Sequence, residues 1–137
     1  MRNKNSLFLI YLFVIFFTSC GKILSDEFNF EAIEILIKDN GNIIHAKDGV
    51  KIIDDKGIEI IADSFEYDKK KLILVVEGKV EILDKKNDLK VFGDKFIYEK
   101  NNEKIFSESE VTANFENKYK LKTKDLVYLI EEKKIIS

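Results

Sequence analysis

Side chains that could carry nucleophilic, acid–base or metal chemistry are few in this 137-residue sequence. It contains one His, one Cys and no Trp. A structural zinc site takes about four ligands, almost always Cys or His, so such a site is excluded, and a single Cys forms no internal disulfide. His45 alternates in parity with its apolar neighbours, which places it on the outer face of a strand. Because His45 has no partner for a nucleophile–base pair, we expect no catalytic residue.

Two aspartates at equivalent repeat positions, Asp63 and Asp94, are the remaining candidates for chemistry. Paired carboxylates can bind a metal ion or perform acid–base catalysis. Lys124 occupies the same place in the last repeat, which favours a capping or hydrogen-bonding role instead. The glycines are scattered among predicted turns and form no phosphate-binding loop. The sequence therefore predicts no metal site, no cofactor and no enzymatic activity.

Composition narrows the class of protein further. Hydrophobic residues make up 45% and charged residues 35%, which allows one domain with a core. Lys and Arg number 23 against 25 Asp and Glu, a formal net charge of −2. A nucleic-acid-binding protein usually has a clear basic excess, so we expect no nucleic-acid partner.

The N-terminus has the order of features of a secretory signal. Arg2 and Lys4 precede an apolar run, Leu7 to Phe17, that is short for a membrane span of about 18 residues or more. Small residues then lead to Cys20, where two interpretations stay open: an ordinary cleavage site, or a bacterial lipobox in which Cys20 is lipidated. We predict a signal sequence over 1–20 and a short linker over 21–27.

The rest of the chain is built from about four units of roughly 30 residues. Tyr67, Tyr98 and Tyr128 mark equivalent positions at spacings of 31 and 30, and Ile37 takes the Tyr place in the first unit. Within each unit apolar and polar residues alternate, and polar clusters separate the alternating runs. This is the pattern of half-buried β-strands joined by turns. We predict an all-β domain over 28–137, with the last unit incomplete and no helix longer than one turn over 28–130.

The alternation slips by one residue at the same place in every unit. The slips occur at small residues: Ala32, Ala62, Gly93 and Thr123. A slip turns the side chains to the opposite face unless the strand bends or bulges. Four slips in register therefore predict a crease across a stack of strands, with two sheets facing each other over an apolar interior.

The parity assigns the side chains of this interior. It also leaves the first and last strands without a neighbour, so both edges offer free backbone groups. The predicted interior residues are Ile60, Phe65, Tyr67, Val80, Ile82, Val91, Phe96, Tyr98, Val111, Leu121, Leu126 and Tyr128. The predicted partner edges carry Phe28 and Phe30 at one end and Leu121 and Leu126 at the other. We expect the tyrosine hydroxyls to point toward a wet edge of the interior.

Three segments, 60–68, 76–82 and 92–98, resemble the organic-solvent-tolerance (OstA-like) domain of lipopolysaccharide-transport proteins. The opening 27–31 is most similar to the N-terminal periplasmic domain of the outer-membrane lipopolysaccharide-assembly protein. The resemblance implies a folded antiparallel β-jelly roll, V-shaped in section, that carries lipid A acyl chains against the interior residues. It also implies edge-to-edge pairing with other jelly-roll modules, and a periplasmic location in a Gram-negative bacterium with or without association with the outer membrane.

A second interpretation stays open: a structural or adaptor β-repeat domain, with or without a lipid anchor, that binds strand edges and carries no lipid. The two interpretations differ in the interior, because a carrier needs an apolar groove that a lipid can reach. The sequence alone does not decide between them.

Overall fold

The computed structural model describes residues 27–137, which form an all-β, folded antiparallel β-jelly roll. The only helical elements in this part of the chain are two three-residue 3-10 turns, Asp39–Gly41 and Lys100–Asn102, so the prediction of no longer helix is confirmed. The predicted signal sequence and Cys20 lie outside the described residues. The strands are β1 (Phe28–Lys38), β2 (Ile43–Asp54), β3 (Glu59–Ala62), β4 (Ser64–Asp68), β5 (Ile73–Asp84), β6 (Leu89–Glu99), β7 (Lys104–Ser107), β8 (Val111–Phe115), β9 (Tyr119–Thr123), β10 (Leu126–Leu129) and β11 (Lys134–Ile136).

The strands make one antiparallel sheet that is folded along its middle. Strands β1, β2, β5 and β6 are long enough to run through both halves, whereas the shorter strands each belong to one half. The first half-sheet contains 28–32, 50–54, β3, 80–84, 89–93, β8 and β9. The second half-sheet contains 34–38, 43–47, β4, 73–77, 95–99, β7, β10 and β11.

The line where the sheet folds, here called the crease, lies where the sequence predicts it. The β1–β2 register shifts between Ala32 and Glu34, and the β5–β6 register shifts next to Gly78. The backbone turns through positive φ at Gly49 and Gly78, with φ of 92° and 83°. Backbone hydrogen bonds then join the strands at the crease, from the N–H of Gly49 to the carbonyl of Asp63 at 3.0 Å and from the N–H of Asp63 to the carbonyl of Gly78 at 2.8 Å.

Aromatic rings from both half-sheets meet in the interior. Phe28, in the first half-sheet, packs edge-on against Tyr67 and Tyr98 of the second, with ring centroids 5.1 and 5.4 Å apart. Phe30 stacks on Phe65 with centroids 4.6 Å apart. Edge-to-face and offset stacks are the preferred aromatic geometries. The two faces therefore form a single hydrophobic core in which side chains from both halves interdigitate.

We predict that the crease tolerates no side chain at residue 78. A Cβ added to Gly78 would lie 2.7 Å from the Cβ of Asp63, and its φ is positive. Gly57→Ala is the matched control, because its φ is 85° but nothing lies within 4 Å of the added Cβ. We expect Gly57→Ala to lower the free energy of unfolding by about 1–2 kcal/mol through φ alone.

Gly78→Ala should lower the free energy of unfolding by at least about 1 kcal/mol more than Gly57→Ala, because the neighbouring strand must also shift. Urea denaturation of both variants measures the difference. Equal losses in the two variants would show that the close approach at the crease is not needed.

Candidate functional site: the apolar interior and its openings

Eleven of the twelve residues predicted for the interior are buried there, and Leu121 is half-buried against the same core. Along each strand these inward-facing residues alternate with outward-facing ones, as the alternation of buried and more exposed residues in β5 shows. Eleven of these side chains are covered by neighbouring residues, and contact of the set with a lipid stays a prediction. A ligand could reach them only if the half-sheets moved apart or if it entered from an end.

The free ends of the two half-sheets, opposite the crease, are here called the lips, and Tyr98 bridges them. Its hydroxyl lies 2.7 Å from Oδ2 of Asp54 and 2.8 Å from Oε2 of Glu103. The buried Lys100 adds its ammonium group at 3.6 Å from Asp54. Burial, together with the carboxylates of Asp54 and Glu103, raises the pKa of Tyr98 far above its usual range. Tyr98 is therefore a fixed hydrogen-bond donor between the lips.

Tyr128 bridges the lips in the same way one repeat later. Its hydroxyl donates to Oδ2 of Asp84 at 2.6 Å, and the side-chain amide of Asn87 donates to both groups. Burial and the Asp84 carboxylate raise the pKa of Tyr128. For Asp84, burial alone would raise the pKa, but the hydrogen bonds from Tyr128 and Asn87 outweigh it and hold the pKa below its ordinary value.

The sequence predicts that the tyrosine hydroxyls point toward a solvent-exposed edge of the interior, and these contacts show that this prediction is wrong for Tyr98 and Tyr128. The hydroxyls of Tyr98 and Tyr128 do point to the lips, but they donate hydrogen bonds to the buried carboxylates of Asp54 and Asp84 instead of to water. The physical reason is that a hydroxyl buried in an apolar interior needs a partner, and a charged acceptor makes the stronger hydrogen bond. The sequence offers one signal for this pairing: Asp54 to Tyr98 and Asp84 to Tyr128 are both 44 residues apart.

At the β1 end of the sheet, apolar side chains are exposed to solvent. Ile33, Ile35 and Ile37 on the second part of β1 are 86%, 44% and 67% exposed. Phe30, on the same strand, is half-buried and stacks on Phe65 inside the core. Ile35 and Ile37 lie opposite the buried Ala46 and Ile44 of β2, so they are on the interior face of the sheet. The three isoleucines and Phe30 are here called the mouth. Sequence reasoning placed β1 at an edge but did not identify Ile33, Ile35 and Ile37 as site residues, although the run from Ala32 to Ile37 is mostly aliphatic.

The strand edges agree only partly with the sequence prediction. Within residues 27–137, β1 pairs with β2 alone and β9 pairs with β8 alone, so Phe28, Phe30 and Leu121 lie on strands with a free side. The assignment of Leu126 to an edge is wrong. Strand β10 lies between β7 and β11, and Leu126 is buried. The reason is that the chain reverses after Ile130 and adds the short strand β11 to the second half-sheet.

The polar residues considered for chemistry lie away from the interior. His45 is on the outer face, where its Nδ1 is 3.9 Å from a carboxylate oxygen of Glu66. Asp63 contributes its backbone to the crease. No group of three or more potential metal ligands occurs in the part of the chain that the structure describes. Across residues 27–137, no helix has the length and apolar character to cross a membrane.

Comparison with known proteins gives a likeness of fold. No family model and no curated protein sequence matches the chain. The fold is similar to the crystal structure of LptH from Pseudomonas aeruginosa, described as the LptA homologous periplasmic component of the conserved lipopolysaccharide transport device. The TM-score is 0.69 with 11% sequence identity, over 80% of this chain and 80% of that one. The likeness therefore identifies an LptA-like β-jelly roll.

We predict that Tyr128→Phe lowers the free energy of unfolding by about 1–3 kcal/mol at neutral pH, because the buried Asp84 carboxylate loses a donor. The effect should depend on pH. The pKa of Asp84 is lower in the folded chain than the ordinary value of about 3.9, so its contribution is present above about pH 4 and is lost as pH falls through the folded pKa. Without Tyr128 the folded pKa rises, and the difference between the two proteins should shrink in acid.

Urea denaturation from about pH 3 to about pH 7 measures this dependence. Tyr119→Phe is the control, because Tyr119 is 67% exposed, and its effect should stay within about 0.5 kcal/mol. A loss for Tyr128→Phe that is the same at every pH would contradict the role assigned to Asp84.

Proposed function

We propose that this protein is a periplasmic lipopolysaccharide-transport module that shields lipid acyl chains and bridges toward the outer membrane. The observation that carries the proposal is the mouth, where the exposed Ile35 and Ile37 lie on the interior face of β1, the strand whose Phe30 stacks on Phe65 in the core of an LptA-like jelly roll. The fold likeness to LptH supports the same conclusion. The sequence resembles the OstA-like domain, and the opening 27–31 is most similar to the N-terminal periplasmic domain of the outer-membrane lipopolysaccharide-assembly protein. We therefore propose that the chain is related to that domain. The role needs no enzymatic activity.

The free energy that would drive lipid binding is that of transferring acyl chains from water to an apolar interior. Burying one methylene group is worth about 0.8 kcal/mol, so an acyl chain of roughly ten methylenes could gain up to about 8 kcal/mol in an apolar interior. The mouth offers the first apolar contact that is open to solvent. A lipid that enters between two half-sheets can keep its sugar headgroup in water while its acyl chains are covered.

The partners in this proposal are other jelly-roll modules, paired through strand edges. Within residues 27–137, strands β1 and β9 each have a free side that another strand can extend by β-augmentation. A contact between two different edges does not close, so repeated contacts would give an open rod. Exposed lysines on and beside β9, at positions 120, 122 and 124, would limit unselective pairing.

The adaptor interpretation keeps support from a different observation. Nearly all interior side chains are buried against one another, as in a domain whose core is purely structural. An adaptor would use the same edges but would leave the interior closed. Lipid contact at the mouth is therefore the measurement that separates the two functions.

We predict that a photo-crosslinking amino acid at Ile37 forms an adduct with lipopolysaccharide, because this side chain is exposed at the mouth. The same amino acid at Ile61 is the matched control. Ile61 is also an exposed isoleucine, at 40%, but it alternates with the buried Ile60 and Ala62 and so faces outward. Crosslinking is read by mass shift on a gel with lipopolysaccharide detection. Equal adducts at both positions, or none at either, would contradict the carrier function.

We predict that Leu121→Pro weakens association with a second copy or with a related jelly-roll module at least ten-fold, because proline removes a ladder donor from β9 and distorts its edge. Leu121→Ala is the control, since it keeps the backbone N–H and changes only the side chain. Co-purification and sedimentation measure association, and circular dichroism checks the fold. If folded Leu121→Pro binds as well as the unchanged protein, β9 is not the docking edge.

A further inference from the structure

The lips are joined by hydrogen bonds that recur with the repeat. Tyr98 and Tyr128 of the second half-sheet reach Asp54 and Asp84 of the first, at 2.7 and 2.6 Å. Each tyrosine lies at the lip end of its strand, and each aspartate is the last residue of its strand. The two bridges are therefore equivalent contacts placed one repeat apart along the same seam.

Ion pairs cover this seam. The ammonium group of Lys100 is 2.5 Å from a carboxylate oxygen of Asp55 and 3.6 Å from Asp54, both on the opposite lip. Lys56, on the first lip, pairs with Glu103 at 3.5 Å and with Glu131, both on the second lip. Polar contacts therefore close the side of the molecule that faces away from the crease.

The seam is the boundary along which the half-sheets can part. The crease is crossed by continuous backbone in β1, β2, β5 and β6, so it acts as a hinge that stays intact. Within residues 27–137, the hydrogen bonds and ion pairs described above join the lips through side chains, and water can replace those contacts when the lips separate. Separation exposes the apolar interior, and an acyl chain that fills the gap covers it again.

We propose that the lips are a lateral gate, and that the Tyr98–Asp54–Lys100 and Tyr128–Asp84 contacts are the latch that holds it shut between lipids. This inference rests on the proposed carrier function and adds the route of entry. The acyl chains enter sideways through the seam while the headgroup stays outside. Before this entry the mouth makes the first contact with the acyl chains, and the latch controls when the seam opens to admit them.

The test is a reversible lock across the lips. In the full chain carrying Cys20→Ser, Lys56→Cys and Glu131→Cys are joined by a reducible thiol-reactive linker. The matched control joins Glu59→Cys to Lys85→Cys, whose side chains are 3.2 Å apart on the same lip. Uptake of fluorescently labelled lipopolysaccharide is followed by stopped-flow before linking, after linking, and after reduction of the linker.

We expect the lock across the lips to slow uptake at least ten-fold, reduction to restore it, and the same-lip link to leave it unchanged. A second pair, Lys56→Cys with Glu103→Cys, spans the same lips and should repeat the result. Uptake at an unchanged rate in both locked proteins would overturn the gate and leave the carrier function standing, with entry through the mouth. If the unlinked protein takes up no lipopolysaccharide, the carrier function fails and the gate fails with it.

Discussion

The architecture depends on one constraint: a β-strand that crosses the middle of this sheet must change the face on which its apolar side chains lie. A flat strand with such a slip would expose half of its apolar residues to water. Bending the strand removes the conflict, because the two halves then face each other and both apolar sets point inward. Gly49 and Gly78 allow the bend through positive φ, and the backbone of Asp63 connects the neighbouring strands there. The interior, the lips and the mouth all follow from this fold line.

The crease and the lips are chemically opposite boundaries of the same interior. At the crease the strands are joined by backbone hydrogen bonds around Gly49 and Gly78, whereas the lips are joined by the side chains of tyrosines, aspartates and lysines. A buried carboxylate such as Asp54 is tolerated because Tyr98 and Lys100 compensate it. Such a network holds the halves in one arrangement, yet its members are all groups that water solvates well. The lips are therefore the boundary at which separation of the two half-sheets is least unfavourable.

The two ends of the strand stack differ in a way that suits directional assembly. The β1 end presents the aliphatic side chains of Ile33, Ile35 and Ile37, and the β9 end presents alternating lysines. An aliphatic surface next to a free strand edge favours a partner that brings its own apolar interior into register. In the proposed function, pairing at this end would join two interiors into one continuous apolar path.

Local pattern in the sequence determines much of this protein. Alternation and its slip depend only on neighbouring residues, so the crease at Ala32, Ala62 and Gly93 and most of the interior were predictable from the sequence. Contacts between distant segments were not. The pairing of Tyr128 with Asp84, the cover that β11 gives to β10, and the exposure of Ile33 depend on which segments meet across the folded sheet. Side-chain parity encodes the face on which a residue lies, but only tertiary structure decides what lies opposite that face.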